Sequence, residues 1–222
     1  VLSHDLRTPL MSITAAATVL KRQPDADKVG AMADRVLSSS QRMGRMIEDL
    51  LDVTRIRHAG GLALQLGRAD MQSIVQRTLD EVQTSFPDRN IESVLQGDMA
   101  GVWDSERLCP VATNIVGNAI HHGAPDQPVR VAVDGTQASV VTVAVSNGGT
   151  IAPELLPHLF DPFRGRDRAP GRHQGLGLGL FIAHQVVRAH GGRIDVHAQD
   201  GTTRFVVELP RVSPAAEKWS NT

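Results

Sequence analysis

Cysteine is nearly absent from this chain. The single Cys109 excludes an internal disulfide framework and any Cys-x-x-Cys metal site, and it reads as a small buried hydrophobe, not a nucleophile. A surplus of charge is missing too, with 23 Lys and Arg against 24 Asp and Glu and a net charge of -1. Phosphate-driven affinity for nucleic acid needs a basic excess, so a general nucleic-acid binder is excluded. No apolar run approaches the ~20 residues of a membrane span, so no direct membrane contact is expected. Internal repeats, an initiator methionine and a signal-peptide pattern are also lacking. Val1 opens in mid-helix pattern, so the chain reads as a cytoplasmic piece of something longer. Its 222 residues, 41% of them hydrophobic, suffice for one or two domains with a real core.

What is present divides by period. In residues 1–60, Leu6, Leu10, Ile13, Ala17 and Leu20 form one helical stripe. "RQPDAD" supplies a turn, with Pro24 and Asp25 able to start a second helix. There Val29, Val36, Met43 and Leu50 recur every seven residues, with Met32, Met46 and Val53 as companions and Ile47 and Leu51 widening the stripe. An antiparallel hairpin cannot bury so broad a face alone. A four-helix bundle made by a homodimer is expected, with packing onto the downstream domain as the other solution. After "RHAGG" the pattern turns mixed over residues 61–210. "LALQL" alternates like a strand, Asp70 opens a helix, and residues 104–122 and 177–190 are helical. "VRVAVDGTQASVVTVAVSN" and "GRIDVHAQDGTTRFVVELP" each read as a hairpin. The fold class is α plus α/β: a helical hairpin, then an α/β sandwich with helices on one face of a sheet. The tail, residues 211–222, shows no pattern and is expected to be disordered.

Chemistry concentrates in short stretches. In "VLSHDLRTPL", His4 lies opposite the stripe of Leu6 and Leu10 and should face solvent, with Asp5 beside it and Thr8 one turn on. Pro9 cannot donate to the Asp5 carbonyl, which weakens the helix there. A carboxylate that holds one ring N–H raises the nucleophilicity of the other nitrogen. "NIVGNAIHHG" sets Asn114, Asn118 and His121 or His122 along one helix side, opposite Leu108, Ala112, Ile115 and Ala119. Carboxamide oxygens are hard ligands that suit Mg²⁺. "VSNGGTI" ends a strand with glycines that permit close backbone approach. "LFDPFRGRDRAPGRHQGLGLGLFIAHQVV" runs an Arg-rich loop into Gly175, Gly177 and Gly179 and then a helix, a phosphate cradle of bare N–H groups.

Singly these are weak signals; their order is specific. "SHDLRTPL", "NIVGNAIHHG", "VSNGGTI", "LFDPF" and "GLGLGL" in succession closely resemble the transmitter core of bacterial sensor histidine kinases, over residues 1–210. The resemblance implies that His4 is the phosphoacceptor, Asp5 the acidic general base and Thr8 the residue that positions water for phosphatase activity. Asn118 would bind Mg²⁺, and Asn114 would be its phosphate-side partner. His121, His122, Asn147 and Gly149 would also touch ATP. Gly175, Leu176, Gly177, Leu178 and Gly179 would shape the hinge of the ATP lid, with Phe160 and Phe163 as aromatic anchors. A response-regulator receiver domain would accept the phosphoryl group on an aspartate.

Three positions depart from the family pattern. Asn147 stands where an Asp usually accepts the amino group of adenine, "NGGTI" lacks the usual second glycine, and His121 replaces a basic residue. An Asn can present oxygen or nitrogen by turning its amide, so weaker rejection of GTP is expected. Besides the kinase, a degenerate dimeric scaffold or relay and a net phosphatase carry the same motifs. The intact His4, Asn118 and glycine loop favour the kinase.

Overall fold

The computed structural model describes residues 2–22, 25–58, 62–163 and 176–213, except for the side chains of residues 2–5, 26, 57 and 58. Two helices come first, α1 (Leu2–Leu20) and α2 (Ala26–His58). Asp25 caps α2 by accepting from the Lys28 N–H at 3.1 Å, as the turn chemistry requires. Arg35 Nε donates to Ser12 Oγ at 3.1 Å and pins the hairpin register. Met32, Val36, Met43, Met46, Leu50 and Val53 are buried or half-buried, as the heptad spacing implies, whereas Val29, the first of the series, is exposed. On α1 the inner positions are Leu6, Pro9, Ile13, Ala16 and Leu20, whereas Leu10 and Ala17 are exposed. Both sets satisfy helical spacing, and the position of α2 selects between them.

The second region holds β1 (Gly67–Asp70), α3 (Met71–Ser85), β2 (Ile91–Gly97), β3 (Ala100–Trp103), α4 (Ser105–His122), β4 (Val129–Gly135), β5 (Val140–Gly148), α5 (Gly179–Ala189), β6 (Arg193–Gln199) and β7 (Thr202–Pro210). Five strands form one sheet in the order β2-β4-β5-β7-β6; β2 runs parallel to β4 and the other pairs are antiparallel. β1 and β3 make a separate two-stranded ribbon. Helices α3, α4 and α5 pack side by side over the large sheet, so the expected sandwich is present. Its core alternates by twos: Val129, Val131 and Val133 on β4 and Phe205, Val207 and Leu209 on β7 are all buried. "LALQL" alternates in exposure yet pairs with no strand; the ladder begins one residue later, at Gly67.

The packed domain runs on through Ser213, three residues into the stretch expected to be disordered. Arg211 explains this. Its Nη1 donates to Ala100 O at 2.6 Å, its Nη2 to Asp98 O and Gly135 O at 2.7 Å each, and its carbonyl accepts from Val102 N at 2.7 Å. One guanidinium satisfies carbonyls from the Asp98 turn and from strands β3 and β4. The disorder expected for 214–222 concerns positions outside the described residues.

Two groups tie α4 to its surroundings. Asp104 caps it, accepting from Arg107 N at 3.1 Å and from Gln65 N at 2.8 Å. Asp104 N donates in turn to Nε2 of the fully buried His190, whose Nδ1 donates to Val186 O at 2.8 Å. These two bonds define a neutral imidazole, and burial pushes its pKa below the usual value. Arg107 then reaches the hairpin, pairing with Asp52 at 2.6 Å.

Candidate nucleotide-binding site

The expected amide face of α4 is real. Leu108, Val111, Ile115 and Ala119 are buried beneath it, while Asn114 and Asn118 are half-buried one turn apart on the outer side. Asn114 abuts the start of α5, where a Cβ on Gly179 would come within 2.5 Å of Asn114 Oδ1. Any larger residue at 179 would push the amide aside. The capping position of α5, Leu178, offers no side-chain bond to the helix N–H groups. A bare helix start therefore faces the amide of Asn114, with Asn118 one turn further along α4, an arrangement suited to phosphate with a hard cation.

Asn147 marks the far end of the site. Period two along β5 puts it on the side of Val141, Val143 and Val145, under the helices, and it is buried. Its neighbour across the ladder is Thr203, also buried, which the sequence reading passed over. Gly123, the C-cap of α4, lies so close that a Cβ there would sit 3.1 Å from Asn147 Cβ. Gly149, at φ +115°, lies beside the carbonyl of His122; its N–H donates to Gly201 O at 2.7 Å, and its carbonyl accepts from Thr203 Oγ1 at 2.9 Å. The glycine stretch is thus a tight seam between α4 and the sheet end.

The Asn147 amide bonds the adjacent peptide. Its Nδ2 donates to Gly148 O at 2.9 Å. A carbonyl can only accept, so the nitrogen must stand on that side.

The remaining positions frame the cleft. Phe160 stacks on His184 with ring centroids 5.1 Å apart, and burial followed by the nearby Arg188 holds the His184 pKa below normal. Phe163, at φ 65°, donates its N–H to Gly177 O at 3.0 Å, and Gly177 has φ 68°. Leu176 and Leu178 are fully buried and anchor the chain entering α5. Gly175 lies outside the described residues. His121 and His122 are exposed at the end of α4, with Phe86 edge-on to His121 at 5.2 Å. Cys109 is buried, and burial raises its thiol pKa, which suits a packing role over a nucleophilic one. His4 and Asp5 fall in the first turns of α1, but their side chains, and the expected solvent-facing imidazole, lie outside the described residues. Thr8 is exposed on the hairpin, an element separate from the amide and glycine seam.

Between α2 and the second domain runs a cleft of about 440 Å³, lined by Asp49, Asp52, Arg107, Asn114, Ile182 and Val186 among others. Burial, then the neighbouring Asp52 and Glu48, push the Asp49 carboxyl up to about 6. Asn114 thus touches the start of α5 and also lines the cleft against the hairpin. No helix among the described residues is long and apolar enough to cross a membrane.

Comparison with known proteins agrees with this geometry. Residues 1–59 match the His Kinase A (phospho-acceptor) domain. Residues 103–213 match the histidine kinase-, DNA gyrase B- and HSP90-like ATPase. The chain is 32% identical over 211 residues to a bacteriophytochrome of Pseudomonas aeruginosa, covering 95% of this chain and 29% of that protein. It is 30% identical to the sensor protein VanSC of Enterococcus gallinarum, over 95% of this chain and 59% of the relative. It is 33% identical to the probable sensor histidine kinase TcrY of Mycobacterium tuberculosis, over 94% and 44%. The chain therefore spans roughly a third to three fifths of the length of these curated relatives. Among solved structures, the Acinetobacter baumannii histidine kinase AdeS shares the fold with a TM-score of 0.69 at 20% identity, covering 94% of this chain and 98% of that one. Histidine kinase ThkA, solved in complex with the response regulator TrrA, does so with a TM-score of 0.67 at 20% identity, over 94% and 59%.

Proposed function

The chain belongs to the sensor histidine kinases of two-component signalling, with the phospho-acceptor and ATPase domains of a transmitter core, and from that premise we propose that it phosphorylates its own His4 from Mg-ATP. The phosphoryl group then passes to an aspartate on a response-regulator receiver domain. The observation that carries this reading is the contact of Asn114 with the uncapped start of α5, which only a glycine at 179 permits, with Asn118 one turn further along α4. Amide oxygens beside bare helix N–H groups have the chemistry of a triphosphate site.

Within it, Asn118 offers its amide oxygen to Mg²⁺ and Asn114 holds the phosphate side. The donor set fits: neutral hard oxygens on one helix. When bound, Mg²⁺ neutralises charge on the β- and γ-phosphates. The N–H groups around Gly177 and Gly179 steady the phosphates; Gly175, Leu176 and Leu178 complete the segment, with Phe160 and Phe163 anchoring the chain before it. His121 and His122 border the sugar and phosphates, and Asn147 and Gly149 meet the base. On the hairpin, Asp5 holds the proton on one nitrogen of His4 while the other attacks the γ-phosphorus. A P–N bond forms as the bridging P–O bond breaks, and ADP departs. Positioning supplies most of the rate. Thr8 orients water for hydrolysis of the partner's phosphoaspartate.

The exposed Leu10, Met11, Leu37, Ile47 and Leu51 on the hairpin support a homodimer closed as a four-helix bundle. The complex of ThkA with TrrA supports a receiver domain as the second partner. The core works in the cytoplasm, where ATP is available.

Incubation with labelled ATP and Mg²⁺ tests the proposal. The protein is expected to acquire an acid-labile, alkali-stable label, lost in His4→Gln with nucleotide binding retained. Equal labelling of the variant would place the acceptor elsewhere. An unlabelled native protein that still dimerises would support the scaffold reading instead.

A further inference from the structure

We propose that the open face of the five-stranded sheet is a self-association surface, on which the ATPase domain takes a second copy of itself about a two-fold axis running across the strands. The pairing is independent of where the nucleotide lies. Only its consequence for assembly rests on the hairpin homodimer.

Val131, Val145 and Val207 are buried under the helices, so period two turns the alternate residues of their strands to the other face. Strand register sorts that face into three rows. The middle row, Val94, Ala132, Ala144 and Val206, is a shallow apolar band across β2, β4, β5 and β7, and Val94 is 65% exposed. On one side of it stand Arg130 of β4 and Arg204 of β7; on the other, Asp134 of β4 and Glu208 of β7. Only one way of laying a second copy on this face suits the charges. An axis along the middle row sets the apolar band on itself, Arg130 over Asp134 of the other copy and Arg204 over its Glu208. An axis along the strands, through β5, would set Arg130 over Arg204 and Asp134 over Glu208, like on like. Opposite charges across an interface fix its register in this way. Arg130 and Glu208 already pair within the chain, with Glu92 at 2.9 Å and Arg193 at 2.8 Å. Arg204 has no hydrogen-bond or ion-pair partner among the described residues, so it is the charge that the contact newly satisfies. At the β6 end of the row Asp195 would meet its own copy, which centres the contact on β4, β5 and β7. The face spans about 24 Å across five strands and about 17 Å along them, roughly half of what each partner gives to a standard interface, so the pairing is weak. The hairpin packs on the helical side, α2 against α5 and Asp52 on Arg107, so the open sheet face points away from it. The pairing then joins different hairpin dimers, and because each dimer carries two such faces, dimers link into chains.

Sedimentation of the whole chain tests this. The native protein is expected to be a dimer at about 5 µM and to grow into tetramers and longer species by about 300 µM. Arg204→Glu and Glu208→Arg should each raise the concentration needed by at least about tenfold, because each variant sets like charges against itself twice. An equal mixture of the two restores opposite charges at both contacts, and association within about threefold of native is expected. Val94→Lys, which brings two ammonium groups together near the axis at an exposed position, should weaken association as well and does not depend on the Arg–Glu variants folding. Variants that associate as the native protein does, a mixture as weak as its components, or a strengthened Arg204→Glu would overturn the pairing. So would a native protein that stays a dimer at about 300 µM, whether the face is bare or covered by residues 214–222. A chain that is monomeric at about 5 µM yet pairs at about 300 µM, with the same response to the variants, would sink the hairpin homodimer and leave the sheet pairing standing.

Discussion

Asn118 and Asn114 differ in what each neighbour demands of them, though both are amides on one face of α4. Asn114 is held against Gly179; Asn118, one turn on, is the proposed cation ligand. Asn118→Ala is therefore expected to weaken Mg-ATP binding by roughly tenfold while changing metal-free ATP little, because it removes a cation ligand. Calorimetry with and without Mg²⁺ reads the difference, and an equal loss in both would contradict the role. At this scale the sequence was informative about residue type. Asn114, Asn118 and Asn147 stand out as amides in a glycine-rich setting. The orientation of Asn147 was not legible, because it depends on a carbonyl whose direction is set by strand pairing and by Ala124.

At the scale of elements, α4 is held at its N-terminus by a relay from Asp104 to His190, and α5 brings that histidine in. His190 is neutral because it donates at Nδ1 and accepts at Nε2 in a fully buried position. Its pKa is lowered by burial, against opposing pulls from the Val186 carbonyl and Asp104. The unfolded chain binds a proton below about 6.5, which the folded form resists, so this contribution to stability is present above that pH and is lost as pH falls. The slope approaches roughly 1.4 kcal/mol per pH unit. Asp49 acts in the opposite sense: its raised carboxyl pKa, about 6, adds stability as the pH drops through that range. A variant comparison separates the two. His190→Gln is expected to cost about 2 kcal/mol at pH 7.5, through one lost and one strained hydrogen bond. Its melting temperature should also fall less than the native one between pH 6.5 and 5. Parallel curves would mean that His190 does not titrate with unfolding.

At the scale of the whole molecule, one chain leaves a band of apolar residues uncovered. Leu37, Ile47 and Leu51 on α2 are 58%, 47% and 49% exposed, and Leu10 on α1 is 53% exposed. Such a band on a helical hairpin favours a second copy. Ile47→Glu is expected to shift the protein from dimer to monomer in sedimentation at micromolar concentration, with ATP affinity within about twofold of native, since the nucleotide cleft is built within one chain. A dimer that survives this change and Leu37→Glu as well would place the interface elsewhere. The Asp52–Arg107 pair, 2.6 Å long and mostly shielded, joins hairpin and ATPase domain in the arrangement described.

Periodicity alone determined the hairpin, the two β-hairpins and the helices that carry the amides and follow the glycines, because repeats of 3.6 and 2 are properties of the chain's own geometry. The ordered motifs determined the family. Tertiary structure decided three things that no local pattern contains. It set which side of α1 is inner, since two stripes satisfy one period. It extended the fold through Ser213, because Arg211 finds carbonyls distant in sequence. It also set the Asn147 amide nitrogen against the Gly148 carbonyl. Each depends on a partner brought near by folding, and short-range spacing holds no information about where that partner's carbonyl points.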